Sequence, residues 1–136
     1  MGVKDSARVA AVDLGASGGR VVVGSFDSEH GLQLEVVHRF ENGAIEVDGS
    51  LRWDVQHLVS EVRHGLRIAI ERYPIASVGI DTWGVDYGIV GTSGALVTQP
   101  HSYRDSRTAG MAERLEKEGR LSDVFRTTGT QNMDIN

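Results

Sequence analysis

The chain has 136 residues, of which 40% are hydrophobic and 24% charged, and its formal net charge is −5. This size and composition are typical of one globular domain, and the acidic balance argues against a nucleic-acid-binding protein. Cysteine is absent, which excludes disulfides and cysteine-ligated zinc; with no secretory signal and no apolar run of roughly 20 residues, we expect a cytoplasmic protein that does not interact with membranes.

Three strands are predicted near the N-terminus. Residues 9–14 and 20–26 are apolar and β-branched, and residues 15–19 between them are almost all small, a pattern typical of a β-hairpin. A turn cluster at residues 27–31 leads into a third strand at residues 32–40. Apolar residues alternate with polar ones over much of that strand, so we expect one of its faces to be more buried. Together these segments predict an antiparallel meander.

The next segment has the clearest helical pattern of the chain, after a polar stretch at residues 41–50 that predicts a loop. Its apolar residues keep the spacing of a single buried stripe. That stripe consists of Val55, Leu58, Val59, Val62, Leu66 and Ile70. Asp54 is placed as the N-cap, and Pro74 ends the helix because the residue before a proline avoids the α region. Residues 75–80 then predict a buried strand.

The second half of the chain predicts shorter elements. Residues 87–90 and 95–97 indicate a short hairpin, and Ser106 or Thr108 is placed to cap a second helix that ends at Gly119. The order β-β-β-α-β in the first half predicts an α/β fold, with helices covering a mixed sheet.

The turn of the first hairpin has the composition of a phosphate-binding loop. Its small side chains leave backbone N–H groups open to the oxygen atoms of phosphates. The candidate donors are Gly15, Ala16, Ser17, Gly18 and Gly19, and Ser17 adds a hydroxyl group. Arg20, at the end of the loop, adds a permanent charge with a forked geometry suited to phosphate. Asp13, at its beginning, is placed to hold through water the Mg²⁺ that accompanies ATP.

A plain glycine-rich hairpin turn is the alternative interpretation of this segment. Asp13 would then cap the loop and Arg20 would be solvated. The loop matches neither the P-loop pattern nor the dinucleotide-binding fingerprint, and the hairpin alone supports both interpretations about equally.

A second group of candidate residues follows the strand at residues 75–80. Trp83 lies between Asp81 and Asp86 and next to Gly84, and ligands bind at strand ends in open α/β sheets. An indole face offers apolar contact to a sugar ring, while carboxylates accept hydrogen bonds from its hydroxyl groups. The alternative is that Trp83 belongs to the core and the two aspartates cap loops.

A third group, residues 101–107, combines aromatic, imidazole and charged side chains. Taken alone, it favours a solvated charged loop in which Asp105 pairs with Arg104 or Arg107. The histidines of the chain do not show the spacing of metal ligands, and we predict no metal site from them.

These three groups, in this order, resemble the N-terminal part of the FGGY carbohydrate kinases. The resemblance rests on residues 11–20 (AVDLGASGGR), 79–86 (GIDTWGVD) and 103–108 (YRDSRT), and it covers nearly the whole chain. It implies the actin-like, ribonuclease-H-like ATPase fold, with residues 1–136 as the N-terminal lobe. Because the polar residues 127–136 contain no stop signal, we expect the chain to be a fragment that lacks the second lobe.

The resemblance also implies roles for individual residues. Asp13 is expected to bind Mg²⁺ and the loop from Gly15 to Arg20 the phosphates of ATP. The expected sugar contacts are Trp83, Gly84, Tyr103 and Asp105. The catalytic aspartate of the family belongs to a motif beyond residue 136, so no catalytic residue is expected in this chain.

The expected reaction is transfer of the γ-phosphoryl group of MgATP to the 1-hydroxyl of L-rhamnulose. Related glycerol kinases have an Arg-Glu pair where this chain has Gly84 and Val85, which argues against glycerol. The alternatives are a kinase for L-fuculose or a pentulose, and a non-catalytic nucleotide- or sugar-binding module. Since a single lobe cannot exclude water or align the acceptor, we expect these 136 residues alone to be inactive.

Overall fold

The computed structural model describes residues 7–131 and 133. Its internal contacts divide the chain into two compact units. The first unit contains the residues up to Gly43 together with Asp54–Trp83, and the second contains Ala44–Trp53 and the residues from Gly84 onward. No helix in the described part of the chain is long and apolar enough to span a bilayer.

The described residues form six strands and three α-helices, with a short 3₁₀ turn at Ser106–Thr108. The strands are β1 (Arg8–Leu14), β2 (Gly18–Asp27), β3 (Gly31–Glu41), β4 (Ala44–Val47), β5 (Ser50–Trp53) and β6 (Ile75–Thr82). The helices are α1 (Val55–Arg72), α2 (Met111–Lys117) and α3 (Leu121–Thr128).

The first unit is built on a four-stranded sheet with the order β3-β2-β1-β6. The three N-terminal strands form the predicted antiparallel meander, and β6 runs parallel to β1 after the α1 crossover. In this register Asp13 lies opposite both Arg20 on β2 and Asp81 on β6. The predicted α/β class with a mixed sheet is therefore confirmed, and charged residues meet at one end of the sheet.

Both predicted ends of the long helix are confirmed. The side chain of Asp54 accepts a hydrogen bond from the backbone N–H of His57 at 2.9 Å. At the other end Tyr73 is extended, with φ −141° and ψ 146°, as expected for the residue that precedes Pro74.

The core lies between α1 and the middle strands of the sheet. Its most buried apolar side chains are Ala10, Val12, Val21, Val23, Leu58 and Ala69. Gly65 allows the helix to approach β2 closely, because a β-carbon there would lie 2.4 Å from Cγ2 of Val21. The missing side chain is thus what permits this close helix–sheet contact.

The prediction that one face of β3 is more buried than the other is wrong for most of the strand, because residues 32–36 are exposed on both faces. Leu32 and Leu34 are about two-thirds exposed, at 66% and 67%. Leu34 and Val36 pair with Gly24 and Val22, which alternate along β2 with the helix-facing Val21 and Val23, so Leu34 and Val36 share the face of the sheet that α1 does not cover. Alternation showed that the faces differ, but it could not show which of them the helix covers.

The strand β6 was predicted to be buried, and the structure contradicts this. Val78 is 48% exposed and Ile80 is 63% exposed. The reason is that α1 packs on β1, β2 and β3, while β6 lies at the edge of the sheet among the described residues.

The second unit contains a hairpin where a loop was predicted. Strands β4 and β5 pair antiparallel around Asp48 and Gly49, whose φ values are 51° and 74°. Positive φ at both central residues is the geometry in which an Asp-Gly turn joins two strands. This turn signal is present in the polar segment that we interpreted as a loop.

The remaining elements follow the predictions in part. The predicted hairpin is reduced to an isolated bridge between Val90 and Leu96. The predicted capping of a second helix by Ser106 or Thr108 is wrong, because those residues form the 3₁₀ turn and α2 begins after Gly110, which has φ 75°. Gly119 has a φ of 69° just after α2, which confirms it as the stop of that helix.

Candidate functional site

A pocket of about 560 Å³ lies in the first unit, at the loop between β1 and β2. It is lined by Asp13, Gly15, Ser17, Gly18, Gly19, Arg20, Arg39, Phe40 and Glu41. All of the predicted phosphate-binding residues except Ala16 line it, together with the predicted metal ligand Asp13. The structure therefore brings together in one cavity residues that the sequence analysis assigned to one phosphate site.

The conformation of the loop is fixed by hydrogen bonds to its carbonyl groups. The N–H of Gly15 donates to the carbonyl of Gly18 at 2.9 Å. The buried Asn42 donates through its side chain to the carbonyl of Gly15 at 2.7 Å and through its backbone to that of Ser17 at 3.3 Å. No hydrogen bond within the described residues uses the backbone N–H groups of Ala16 and Ser17. The carbonyl groups of the turn thus accept hydrogen bonds from within the protein, while two of its N–H groups stay available to a ligand.

Asp13 and Arg20 form an ion pair at the mouth of this pocket. The Nε and Nη2 atoms of Arg20 donate to Oδ2 of Asp13 at 2.8 Å and 2.7 Å. Both side chains are close to half exposed, at 45% for Asp13 and 47% for Arg20. An ion pair in contact with solvent is weak, so an anionic ligand or a cation can replace either partner at little cost.

Phe40 forms a wall of the pocket against Gly19. A β-carbon at residue 19 would lie between 2.2 and 2.8 Å from atoms of the Phe40 ring. The ring of His57 packs edge-on against Phe40, with 6.5 Å between the ring centroids. A side chain at residue 19 would therefore have to displace this ring.

The carboxylate of Asp13 fits one type of metal binding better than others. Within the described part of the chain, no group of three or more histidine, aspartate or glutamate side chains could enclose a metal ion. An exposed carboxylate such as that of Asp13 suits Mg²⁺, which keeps most of its water ligands and commonly takes the rest from substrate phosphates. The residues present therefore fit a metal that arrives with a nucleotide.

The candidate sugar-binding residues belong to different units. Trp83 is half-buried directly after β6 and is the last residue of the first unit, whereas Gly84 begins a segment of the second. A β-carbon at Gly84 would meet no atom within 4 Å. A core residue would be fully buried, and Trp83 is not. Its sugar-binding role stays a prediction.

An aromatic cluster in the second unit contains Tyr103. The indole N–H of Trp53 donates to Oδ2 of Asp86 at 2.7 Å, and the ring centroids of Trp53 and Tyr103 are 6.4 Å apart. The guanidinium of Arg104 lies over the Tyr103 ring, 5.2 Å from its centroid. Trp53 is only 2% exposed, so the cluster holds Tyr103 against a fixed support.

Asp105 has a structural role in the same unit. Its buried carboxylate accepts hydrogen bonds from the backbone N–H groups of Leu51 at 2.6 Å and Arg107 at 3.0 Å. The hydrogen bond from Leu51, followed by that from Arg107, lowers the pKa of Asp105. Of the two arginines expected to pair with Asp105, it is Arg107 that does so, with its Nε 3.8 Å from Oδ1. A sugar contact by Asp105 stays a prediction.

Three residues that line the pocket and one that holds its loop were not predicted from the sequence. Arg39, Phe40 and Glu41 line the cavity and Asn42 fixes the loop. All of them follow one another at the end of β3, the strand that pairs with β2. Only the register of that pairing could have identified them, and the register contains a shift.

No family model matches the chain, but its sequence is similar to that of curated rhamnulokinases. It is 46% identical over 127 residues to rhamnulokinase of Bacteroides thetaiotaomicron, covering 93% of this chain and 26% of that protein. It is 41% identical over 130 residues to rhamnulokinase of Mannheimia succiniciproducens, covering 94% of this chain and 27% of that protein. The chain thus spans about a quarter of the length of the curated relatives it matches.

Solved structures of sugar kinases show the same fold. Gluconate kinase from Lactobacillus acidophilus superposes with a TM-score of 0.70 at 14% identity, over 93% of this chain and 25% of that one. Plasmodium falciparum glycerol kinase with ADP gives 0.68 at 16% identity, over 96% of this chain and 27% of that one. These matches confirm the predicted actin-like ATPase fold. With the sequence comparisons, they also confirm the predicted resemblance to the N-terminal part of FGGY carbohydrate kinases.

Proposed function

We propose that this chain, which resembles the N-terminal part of rhamnulokinases, is the phosphate-binding part of an ATP-dependent kinase for the 1-hydroxyl of L-rhamnulose. The observation that carries the proposal is the pocket at the first hairpin. It combines unpaired loop amides, a carboxylate and an arginine, in a segment whose sequence resembles that of sugar kinases.

The loop supplies the contacts to the phosphate groups of ATP. The free N–H groups of Ala16 and Ser17 and the hydroxyl of Ser17 donate to phosphate oxygens, and the small neighbouring residues allow the close approach. Phosphoryl transfer depends mainly on positioning and on stabilising negative charge. Because its carbonyl groups already accept hydrogen bonds from Asn42 and from the N–H of Gly15, the loop keeps its shape without a ligand and loses little conformational entropy when phosphate binds.

The ion pair between Asp13 and Arg20 exchanges its partners when the nucleotide binds. Asp13 would hold the Mg²⁺ that accompanies the nucleotide, and Arg20 would donate its fork to a phosphate oxygen. When bound, Mg²⁺ neutralises charge on the phosphate groups. The pair therefore keeps both groups in place in the absence of ligand.

The sugar side of the proposal uses Trp83, Gly84, Tyr103 and Asp105. The rings of Trp83 and Tyr103 suit the apolar C–H surface of a ketose. A β-carbon at Gly84 would meet no atom within 4 Å, and Asp105 ties the Tyr103 segment to β5 by accepting a hydrogen bond from the N–H of Leu51. We propose that these residues select the acceptor.

We assign no general base to this chain. A base must reach the proton of the attacking hydroxyl group, and we propose that it comes from a second lobe of the same protein. The relatives are about four times longer than this chain, which supports a partner lobe encoded in the same polypeptide. By this proposal, the 136 residues alone do not transfer phosphate.

A panel of acceptors tests the proposed reaction. The longer, two-lobed protein that we propose to contain these 136 residues is assayed for ADP release with L-rhamnulose, L-fuculose, D-xylulose and glycerol. We expect the highest kcat/KM with L-rhamnulose and no turnover with glycerol. A preference for L-fuculose or xylulose would replace the proposed substrate, and no turnover with any acceptor would favour a non-catalytic binding module.

Two substitutions in that longer protein test the roles of the pocket. Asp13→Asn and Arg20→Ala should lower kcat by at least about tenfold, because each removes a charge that acts on the phosphate groups, and should leave the Kd for the sugar within twofold. Arg67→Gln, at an exposed position of α1, is the charge-matched control. Equal losses of turnover and sugar binding would indicate misfolding and contradict the assigned roles.

A further inference from the structure

We propose that Arg39 is a second cation that binds the phosphate groups of the nucleotide in the pocket at the first hairpin. The inference rests on the proposed function and adds to it a residue that lies outside all three motifs. Arg39 lies on β3 and lines the same cavity as Asp13, Arg20 and the glycine-rich loop.

The register of the sheet places Arg39 directly beside Arg20. The two residues are Cα partners in the antiparallel β2–β3 pair, so their side chains leave the same face of the sheet. Like charges in directly opposite positions destabilise a pair of strands. An anion that binds both guanidinium groups turns this repulsion into attraction.

The carboxylate of Asp13 neutralises Arg20 and not Arg39. Asp13 is bound to Arg20 through two short contacts. Within the part of the chain that the structure describes, the side chain of Arg39 takes part in no ion pair or hydrogen bond. Glu41 also lines the pocket, but it forms no ion pair with Arg39. The positive charge of Arg39 therefore has no ion-pair partner, and its side chain lines the same pocket as the loop that we propose to bind phosphate.

A β-bulge is responsible for this position of Arg39. From the turn, where Asp27 pairs with Gly31, the register runs regularly to Val22 and Val36, and then shifts so that Val21 pairs with His38. Without that shift, Arg39 would pair with Gly19 and its side chain would lie on the face covered by α1. Bulges are frequent beside active sites, where they redirect a side chain.

Two arginines suit a ligand with several phosphate groups. Each guanidinium presents a planar fork of donors that matches one phosphate. With Arg20 beside Asp13 and Arg39 on the neighbouring strand, the forks can bind different phosphates of one chain, while the amides of Ala16 and Ser17 bind between them. Arg39 therefore contributes to affinity for the polyphosphate, independently of the base and the sugar.

The test measures, by isothermal titration calorimetry, the affinity of the 136-residue chain for inorganic tripolyphosphate in the presence of Mg²⁺. We expect Arg39→Gln to weaken binding about tenfold, as for the loss of one charge-assisted contact. Arg39→Lys keeps the charge but lacks the fork, and should weaken binding about threefold. Arg63→Gln, which removes an exposed charge from α1, is the matched control and should bind as the wild type does.

Thermal unfolding without ligand separates a binding role from a structural one. Because Arg39→Gln relieves repulsion with Arg20, its melting temperature should equal or exceed that of the wild type. The proposal is overturned if Arg39→Gln binds tripolyphosphate within twofold of the wild type or if Arg63→Gln weakens binding equally. It is also overturned if the wild-type chain does not bind tripolyphosphate.

The test distinguishes this inference from the proposed function. In one outcome, tripolyphosphate binding depends on Arg39 but the longer protein phosphorylates no ketose. This result would contradict the proposed sugar kinase activity and leave the role of Arg39 intact. Phosphorylation of L-rhamnulose, with unchanged binding by Arg39→Gln, would contradict only the role of Arg39.

Discussion

At the loop after β1, Gly19 meets the ring of Phe40 at a distance that leaves no space for a β-carbon. The same loop is held from the other side by Asn42, which bonds to the carbonyl of Gly15. The geometry of the amides that we propose to bind phosphate therefore depends on Phe40 at the end of β3 and on Asn42 directly after that strand.

We predict that Gly19→Ala lowers the affinity for Mg-tripolyphosphate by at least about tenfold, since the new methyl group must displace the loop or the ring. Calorimetry of the chain measures this. The double variant Gly19→Ala/Phe40→Ala removes the obstructing ring and should recover most of the affinity. Gly43→Ala is the control, because a β-carbon there meets no atom within 4 Å. Wild-type affinity for Gly19→Ala would show that the loop tolerates the displacement.

The carboxylate of Asp105 gives a pH-dependent contribution to stability. The N–H groups of Leu51 and Arg107 hold the pKa of Asp105 below its ordinary value in the folded chain. A depressed pKa stabilises the fold above the unfolded-state pKa near 4, and this contribution is lost as the pH falls through the folded-state pKa.

We therefore predict that Asp105→Asn lowers the melting temperature at pH 7, and that its difference from the wild type shrinks as the pH falls below about 4. Scanning calorimetry between pH 7 and pH 3 measures both effects. Glu46→Gln, which changes an exposed carboxylate of the same unit, should show neither effect. A difference that stays constant down to pH 3 would contradict the role of the charge.

Residue-level prediction succeeded where chemistry is local in the sequence. Asp13 and Arg20 flank one turn, so the sequence placed both at the same loop, whereas the ion pair between them was not predicted. The dual hydrogen bonding of Asp105 could not be predicted, because Leu51 is 54 positions away in the sequence. Arg39 has no local signal of any kind, since its place in the pocket depends on the neighbouring strand.

At the scale of elements, the contact between α1 and the sheet depends on Gly65. An alanine there would gain about 1 kcal/mol of helix propensity, but its β-carbon would lie 2.4 Å from Val21 Cγ2 and 3.1 Å from His38 Cβ. Overpacking of this type costs about 1–3 kcal/mol, so the steric term outweighs the propensity term at a buried position.

We predict that Gly65→Ala lowers the free energy of unfolding by up to about 2 kcal/mol, the balance of these two terms. Urea denaturation followed by circular dichroism measures it. The double variant Gly65→Ala/Val21→Ala should lose less than the sum of the single variants, because the clash is removed. Strict additivity would indicate that the helix simply shifts along the sheet.

Element-level prediction was best where the caps and the periodicity agreed. Asp54, Pro74 and the apolar stripe defined α1 to within a few residues. The β4–β5 hairpin was missed although Asp48 and Gly49 provide its turn, since the surrounding residues were interpreted as a polar loop. The bulge in β3 leaves no mark in the sequence, and it determines which side chains share a face.

At the scale of the whole chain, the comparisons cover about a quarter of each relative. The fold and the resemblance were predictable because the three motifs occur in order along nearly all of the sequence. The exposure of β6 was not predictable, because the exposed fraction of its side chains depends on which elements pack against the strand and not on its composition.

We predict that these 136 residues release no ADP in response to L-rhamnulose, because they contain no assigned base and cannot exclude water by themselves. A coupled ADP assay with the isolated chain measures this, and the longer protein is the positive control. Turnover by the isolated chain that Asp13→Asn abolishes would contradict the assignment of the base to a second lobe.

The ion pair of Asp13 and Arg20 also affects how fast a nucleotide arrives. With Arg39 and Glu41 included, the lining of the pocket holds two positive and two negative side chains, while the chain as a whole carries a net charge of −5. An approaching nucleotide anion is therefore repelled at long range and attracted only after it contacts the loop. Salt should accelerate the encounter while weakening the final contacts, so that association and dissociation rates rise together with ionic strength.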